Sequence, residues 1–176
     1  SAYGEPRSAC LADFDNDGDL DIYMSNVASP DSGRLLVNNN NGTFTDMAAA
    51  YGVQNSEYTW GAAWFDAEND ADLDLLVTSD INTPNPRNYL YINTGAQLFV
   101  EAPQNFQSNN IASSRSVGVG DISNDGKADI IVSNTDGFNS FLWESTGQVS
   151  NNFIKITLQG STSNKMAIGS WIDVYA

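Results

Sequence analysis

The sequence predicts an all-β fold made of three repeats, and three observations predict it. The chain aligns with itself: residues 8–23, 61–76 and 117–131 match around an Asp-rich loop, and the first aspartates, Asp13, Asp66 and Asp121, lie 53 and 55 residues apart. Short β-branched and aromatic runs follow each loop at the same offsets. Clusters of Asn, Asp, Gly and Pro then break those runs, as turns between strands do.

Each element follows from this repeat. A first run leads into the loop, and a second leaves it at residues 22–25, 75–78 and 130–133. A third run lies at residues 34–38, 88–93 and 140–144, and a fourth in the first two repeats at 43–45 and 98–100. Four short strands in about 50–55 residues is the size of one β-propeller blade. The boundaries read 1–55, 56–110 and 111–150 for the repeats, with C-terminal strands in 151–176. The one helix candidate is residues 46–51, closed by Gly52.

Composition bounds the function. The 176 residues are 41% hydrophobic and 11% aromatic, enough for a packed core. The formal charge is −15, from 22 acids against 7 bases. Such a chain repels nucleic acid and anionic membrane surfaces and attracts multivalent cations. No apolar run is long enough for membrane insertion. The chain opens without Met or a signal peptide, which reads as a mature or excised chain. Cys10, alone in an apolar run, reads as a small buried hydrophobe. Histidine is absent, so acid–base chemistry near neutral pH lacks its usual agent.

The loops place oxygen donors at alternate positions. Positions 1, 3, 5 and 9 are Asp13, Asp15, Asp17 and Asp21 in the first loop and Asp66, Glu68, Asp70 and Asp74 in the second. In the third they are Asp121, Ser123, Asp125 and Asp129. Position 7 (Asp19, Asp72 and Lys127) is expected to offer its carbonyl, with the side chains of Asp19 and Asp72 turned outward. Calcium takes six to eight oxygens, and a tight loop supplies most of them. An all-oxygen set without S or N donors favours calcium over softer metals. Gly18 and Gly126 sit where the loop bends sharply, and Ala71 in that place strains the second loop. Position 12 is Met24, Val77 or Val132 rather than Glu, so the loops are not EF-hands.

The bland alternative is a set of solvated Asx turns without metal. Three copies in register, each between strands, argue against it. So does charge: 13 of the 22 acids lie in the three loops and repel unless neutralised. Three calcium ions would bring −15 to about −9. The sites rank first, third, second, since Glu68 and Ala71 burden the second while Ser123 and Lys127 weaken the third.

On DFDNDGDLDI, with weaker copies DAENDADLDL and DISNDGKAD, the chain resembles the FG-GAP/VCBS repeat family, the calcium-loop blades of integrin-like β-propellers. The resemblance covers roughly residues 5–150 and implies the metal ligands already named. Residues 151–176 resemble the opening of an ASPIC/UnbV module, whose alternation over residues 153–158 also reads as a half-buried strand.

These readings imply a calcium-binding extracellular structural or adhesion protein, secreted or at the cell surface, rather than an enzyme. Its partners would be calcium and a protein, a glycan or another copy. Closed propellers need about four to eight blades. Three blades leave open edges, so the chain is a fragment or a protomer of a head-to-tail assembly such as a filament. The alternative is a carbohydrate-binding or polysaccharide-processing protein. Trp60 and Trp143 would be its sugar-stacking surface, with Trp64 in the core and Trp171 a further candidate. Convergence of two among Asp31, Asp80 and Asp136 would revive catalysis. Arg34, Arg87 and Arg115 are expected to pair with acids, and Asn41 heads the single N-x-Ser/Thr sequon.

Overall fold

The computed structural model describes residues 5–27, 33–83, 86–102, 111–146, 154–161, 164, 165, 167, 170 and 172. It holds three separate antiparallel sheets, one per repeat. The first runs β1 (Pro6–Ala12), β2 (Asp21–Asn26), β3 (Arg34–Asn38) and β4 (Phe44–Asp46), in that spatial order. After the single-turn α1 (Ala48–Tyr51), the second repeats the order with β5 (Thr59–Phe65), β6 (Asp74–Ser79), β7 (Tyr89–Asn93) and β8 (Phe99–Glu101). The third has β9 (Ser113–Gly120), β10 (Asp129–Thr135) and β11 (Phe141–Trp143) among the described residues. The short helix ends at Gly52, whose φ of 83° is the left-handed cap that glycine supplies.

Residues directly opposite in an antiparallel pair share a face of the sheet, so the register assigns every side chain. Each blade has a front, toward the preceding repeat, and a back, toward the following one. The back of the first blade carries Cys10, Tyr23 and Leu35 in one row. It packs on the front of the second, where Ala62, Trp64, Leu75, Val77, Tyr89 and Tyr91 lie. The back of the second, with Phe65, Leu76 and Leu90, packs on the front of the third, with Val117, Ile130, Val132, Phe141 and Trp143. Both cores are thus back-on-front contacts between successive repeats.

The two cores differ in filling. In the first, Phe14 is buried and stacks on Trp64 with ring centroids 5.6 Å apart, and Phe99 and Tyr51 tilt against the pair. In the second, Ala67 holds the repeat position of Phe14 and borders a gap of about 400 Å³ beside Leu90, Ile130 and Trp143. Cys10 packs against the first core half-buried, less deeply than the small buried hydrophobe its apolar setting suggested, and burial pushes its thiol up to about 12.

Strands β1, β5 and β9 are the inner strands and lie side by side. Gly61 makes that approach possible, since a Cβ there would stand 2.9 Å from the Ser116 backbone. Each inner strand is irregular at the same place, between residues 6 and 8, 59 and 62, and 114 and 116. A bulge re-aims the side chain it carries. Here it brings Arg7, Trp60 and Arg115, all six residues before a loop's first Asp, into one column.

The tail departs from its expected form. Residues 154–160 form no strand, and Ile154, Ile156 and Leu158 are exposed rather than half-buried. An alternating pattern makes a strand only where a sheet edge accepts it, and no described strand does. The rest of the expected C-terminal strands, Asp31 and Trp171 lie outside the described residues.

Candidate metal centres in the acidic loops

Each loop joins the first and second strands of its blade and is held by one repeated hydrogen-bond scheme. The position-1 carboxylate accepts from the amides of positions 5 and 6: Asp13 from Asp17 and Gly18 (both 3.0 Å), and Asp66 from Asp70 (3.0 Å) and Ala71 (2.9 Å). Asp121 accepts from Asp125 (3.0 Å) and Gly126 (3.2 Å) in the same way. The position-5 carboxylates of Asp17, Asp70 and Asp125 each accept from the amide two residues on, at 3.1 Å. The bend requires positive φ at position 4, where Asn16, Asn69 and Asn124 have 59°, 57° and 60°. It requires the same at position 6, at Gly18, Ala71 and Gly126. Ala71 adopts φ 75°, the strained conformation expected of a non-glycine there.

Position 9 ties the loop to the blade. Asp21, Asp74 and Asp129 are all buried, at 1%, 1% and 0% exposure. Each takes an amide from just past or at the end of the third strand: Asn38 (2.8 Å), Asn93 (2.8 Å) and Ser145 (3.0 Å). Their surroundings then diverge. Burial pushes Asp21 to about 6 and Asp74 to about 6, against the amides that hold them. Asp129 is held below its ordinary value, first by the Ser123 amide, then by those of Ser145 and Ile122.

The first loop offers the fullest cradle. Carboxylate oxygens of Asp13, Asp15 and Asp21 lie within 4.8 Å of one another, the one such group among the described residues. Asp15 Oδ1, Asp21 Oδ2 and both oxygens of Asp19 are inaccessible to solvent and accept no hydrogen bond within the protein. Buried anionic oxygens left without donors are costly, and a hard cation is what such a set fits. Asp19 therefore departs from expectation: its side chain is shielded rather than turned outward. Asp72 is also half-buried, with Oδ2 against Gly95 in the next turn of its blade. Burial, then repulsion from Asp17, pushes Asp15 up despite a 3.0 Å bond from Gln97 of the second blade.

The other loops offer less. In the second, both oxygens of Asp74 already accept amides, from Ala67 and Asn93, and Glu68 is exposed. In the third, Ser123 is exposed and Lys127 Nζ stands 3.3 Å from Asp125, so a built-in cation already meets part of the loop's charge.

Comparison with known families matches the FG-GAP-like repeat over residues 13–77 and again over 78–132. The chain belongs to that family. No curated protein matches it. FG-GAP membership makes it a repeat protein of the integrin-like type, a family of generally non-catalytic structural repeats typical of extracellular proteins. FG-GAP repeats often bind calcium, in keeping with the cradle of the first loop. The match ends before the tail.

Other candidate residues fall into place around the loops. Arg34 pairs with Asp46 (2.9 Å), Arg87 with Glu101 (2.7 Å) and Arg115 with Asp80 (2.6 Å), as expected. Trp60 does not present a stacking surface: the Arg7 and Arg115 guanidiniums lie 4.8 and 4.0 Å from its ring centroid. Trp143 stacks on Phe141 at 5.6 Å and packs against the second core. The sequence offered both indoles as the better candidates for exposure because it could not show the bulge or the partner sheet. The Arg115 contacts with Asp80 and Asp136 were equally invisible, since they join residues 35 and 21 positions apart.

Proposed function

We propose that this chain is a calcium-stabilised structural repeat module, displayed outside the cell and serving adhesion rather than catalysis. The cluster of Asp13, Asp15 and Asp21, with buried oxygens lacking donors, is the observation that carries this reading. Calcium would be held there by these carboxylates, with Asp17 and the Asp19 carbonyl beside them, and more weakly in the other two loops. Its role would be structural: it would neutralise the repulsion within the loop and fix the crossing from the first strand to the second.

Thermal unfolding of the metal-stripped chain across a calcium titration tests this, with magnesium as control. One site at about 100 times its dissociation constant adds roughly 2.7 kcal/mol. A calcium-specific rise in midpoint is expected, with Asp15→Asn removing the largest share. Absence of any rise, with no calcium retained on equilibrium dialysis, would overturn it.

The carbohydrate-processing alternative finds one geometric foothold, because Asp80 and Asp136 meet at the Arg115 guanidinium, at 2.6 and 3.4 Å. Burial would raise Asp80, but the Asn82 amide and Arg115 outweigh it, and Ser113 and Thr135 hold Asp136 low as well. A glycosidase acid must be raised to carry its proton, so the pair favours a latch. Asn41 lies on the exposed β3–β4 turn, where an attached glycan would meet solvent. A mass increase on secretion from a glycosylating host, abolished by Asn41→Gln, tests that part.

A further inference from the structure

We propose that Gln97 of the second blade is a positioning residue for the first acidic loop, fixing Asp15 for the cation so that two blades together build one site. The inference rests on the calcium reading of that loop and adds to it a residue from outside the loop. Gln97 Nε2 donates to Asp15 Oδ2 at 3.0 Å, across 82 positions of sequence. That bond occupies one oxygen of Asp15. The other, Oδ1, is shielded from solvent and has no donor, and Asp15 belongs to the carboxylate group it forms with Asp13 and Asp21.

The backbone at Gln97 is strained for the sake of that contact. Gln97 lies two residues before β8, where the first blade has Gly42 two residues before β4. Both have positive φ, 82° at Gly42 and 54° at Gln97. Glycine adopts that conformation freely, whereas a residue with a side chain is strained by it. Gln97 is also exposed, so water is open to its amide and burial does not hold it in place. A strained, exposed residue with a fixed side chain points to a task for that side chain.

The amide is held at both ends. Its Oε1 accepts from the Tyr51 hydroxyl at 3.1 Å, which turns the amide nitrogen toward Asp15. Tyr51 in turn tilts on Phe14, with ring centroids 6.0 Å apart. Asn93, also of the second blade, donates through Nδ2 to the Phe14 carbonyl at 3.3 Å. Consecutive residues of the first loop, Phe14 and Asp15, are therefore both held by the second blade. Asp13 and Asp17 repel the Asp15 carboxylate, so one free to rotate would turn away from them. A fixed donor keeps it in the group, as the outer partners of metal ligands do. The same loop position holds exposed Glu68 in the second loop and exposed Ser123 in the third, in keeping with the fuller cradle of the first.

Calorimetric calcium titration of the metal-stripped full chain tests the proposal, the first-loop site being the one that Asp15→Asn removes. Gln97→Gly is expected to raise the dissociation constant of that site about tenfold, the scale on which partners of metal ligands act. Its metal-free melting midpoint should change little, because relief of the strain at φ 54° offsets the lost hydrogen bonds. Tyr51→Phe should weaken the same site less. The double variant should bind no more weakly than Gln97→Gly alone, since the hydroxyl acts through the amide. Equal dissociation constants in the parent and Gln97→Gly would overturn the proposal and leave the calcium reading intact. Additive losses, or a loss matched by a fall in the metal-free midpoint, would make the two groups merely structural and overturn it as well. A parent that takes up no calcium would overturn the calcium reading, and this proposal with it.

Discussion

Asp21 and Asp74 show how one carboxylate can oppose folding until a cation arrives. Each is pushed from 3.8 to about 6, chiefly by burial. Between those values the folded chain holds protons that the unfolded chain has released, so stability falls as pH rises through that window. The metal-stripped protein is therefore expected to be more stable near pH 4.5 than near pH 7, by about 1–3 kcal/mol per carboxylate. Urea midpoints at the two pH values measure this, and a rise toward neutrality would refute it. Below about pH 4 the slope reverses as Asp80, Asp125, Asp129 and Asp136, all held low, take up protons. Ala71 gives a second expectation at this scale. At φ 75° its Cβ is strained, and Ala71→Gly should raise stability by about 0.5–1 kcal/mol after the added freedom of the unfolded chain is counted. A lowered melting midpoint would show that the loop tolerates the side chain.

Strands and loops were legible in the sequence because they are local. Short β-branched and aromatic runs at repeated offsets placed β2, β3, β6, β7 and β10, and clusters of Asp, Asn and Gly placed the turns between them. Even the strain at Ala71 followed from comparing one repeat with the next, and the acid-rich sequence pointed to ion pairs for Arg34, Arg87 and Arg115 without naming their partners. What stayed hidden depends on partners distant in the chain. The bulge turns Trp60 into a column between Arg7 and Arg115, and no local pattern announces it. The tail misled for the opposite reason: residues 154–158 alternate well, yet no described edge accepts them. The Arg115 latch carries the element-scale prediction. Arg115→Met leaves Asp80, with a side chain 8% exposed, without its cation and should cost about 2–4 kcal/mol. Adding Asp80→Asn removes the stranded charge and should recover most of that loss. Denaturant titration of the single and double variants decides it, and additive losses would show that the two groups act separately.

Across the whole molecule the acidic loops share one rim. Asp66 and Asn69 of the second loop line a cleft with Asp121 and Gly126 of the third, and Asp15 and Asn16 of the first line another with Asp72 of the second. Charges that are far apart in sequence are thus gathered at one end of the blades, while the chain as a whole carries −15. Monovalent salt and calcium should relieve this repulsion in different ways. Salt shortens the screening length from about 30 Å at 0.01 M to about 3 Å at 1 M, weakening repulsion between exposed loops. It does so without filling the shielded space around Asp15 and Asp21. In the metal-stripped chain, sodium chloride over that range is therefore expected to raise the melting midpoint, but to stop short of the midpoint reached with calcium at low ionic strength. Once calcium is bound, less repulsion is left to screen, so the same salt series should have a smaller effect. Paired melts at each salt concentration, with chelator and with calcium, measure both slopes. Equal slopes would mean that the rim's charge is already compensated without a bound ion, and the acidic loops would then be solvated turns.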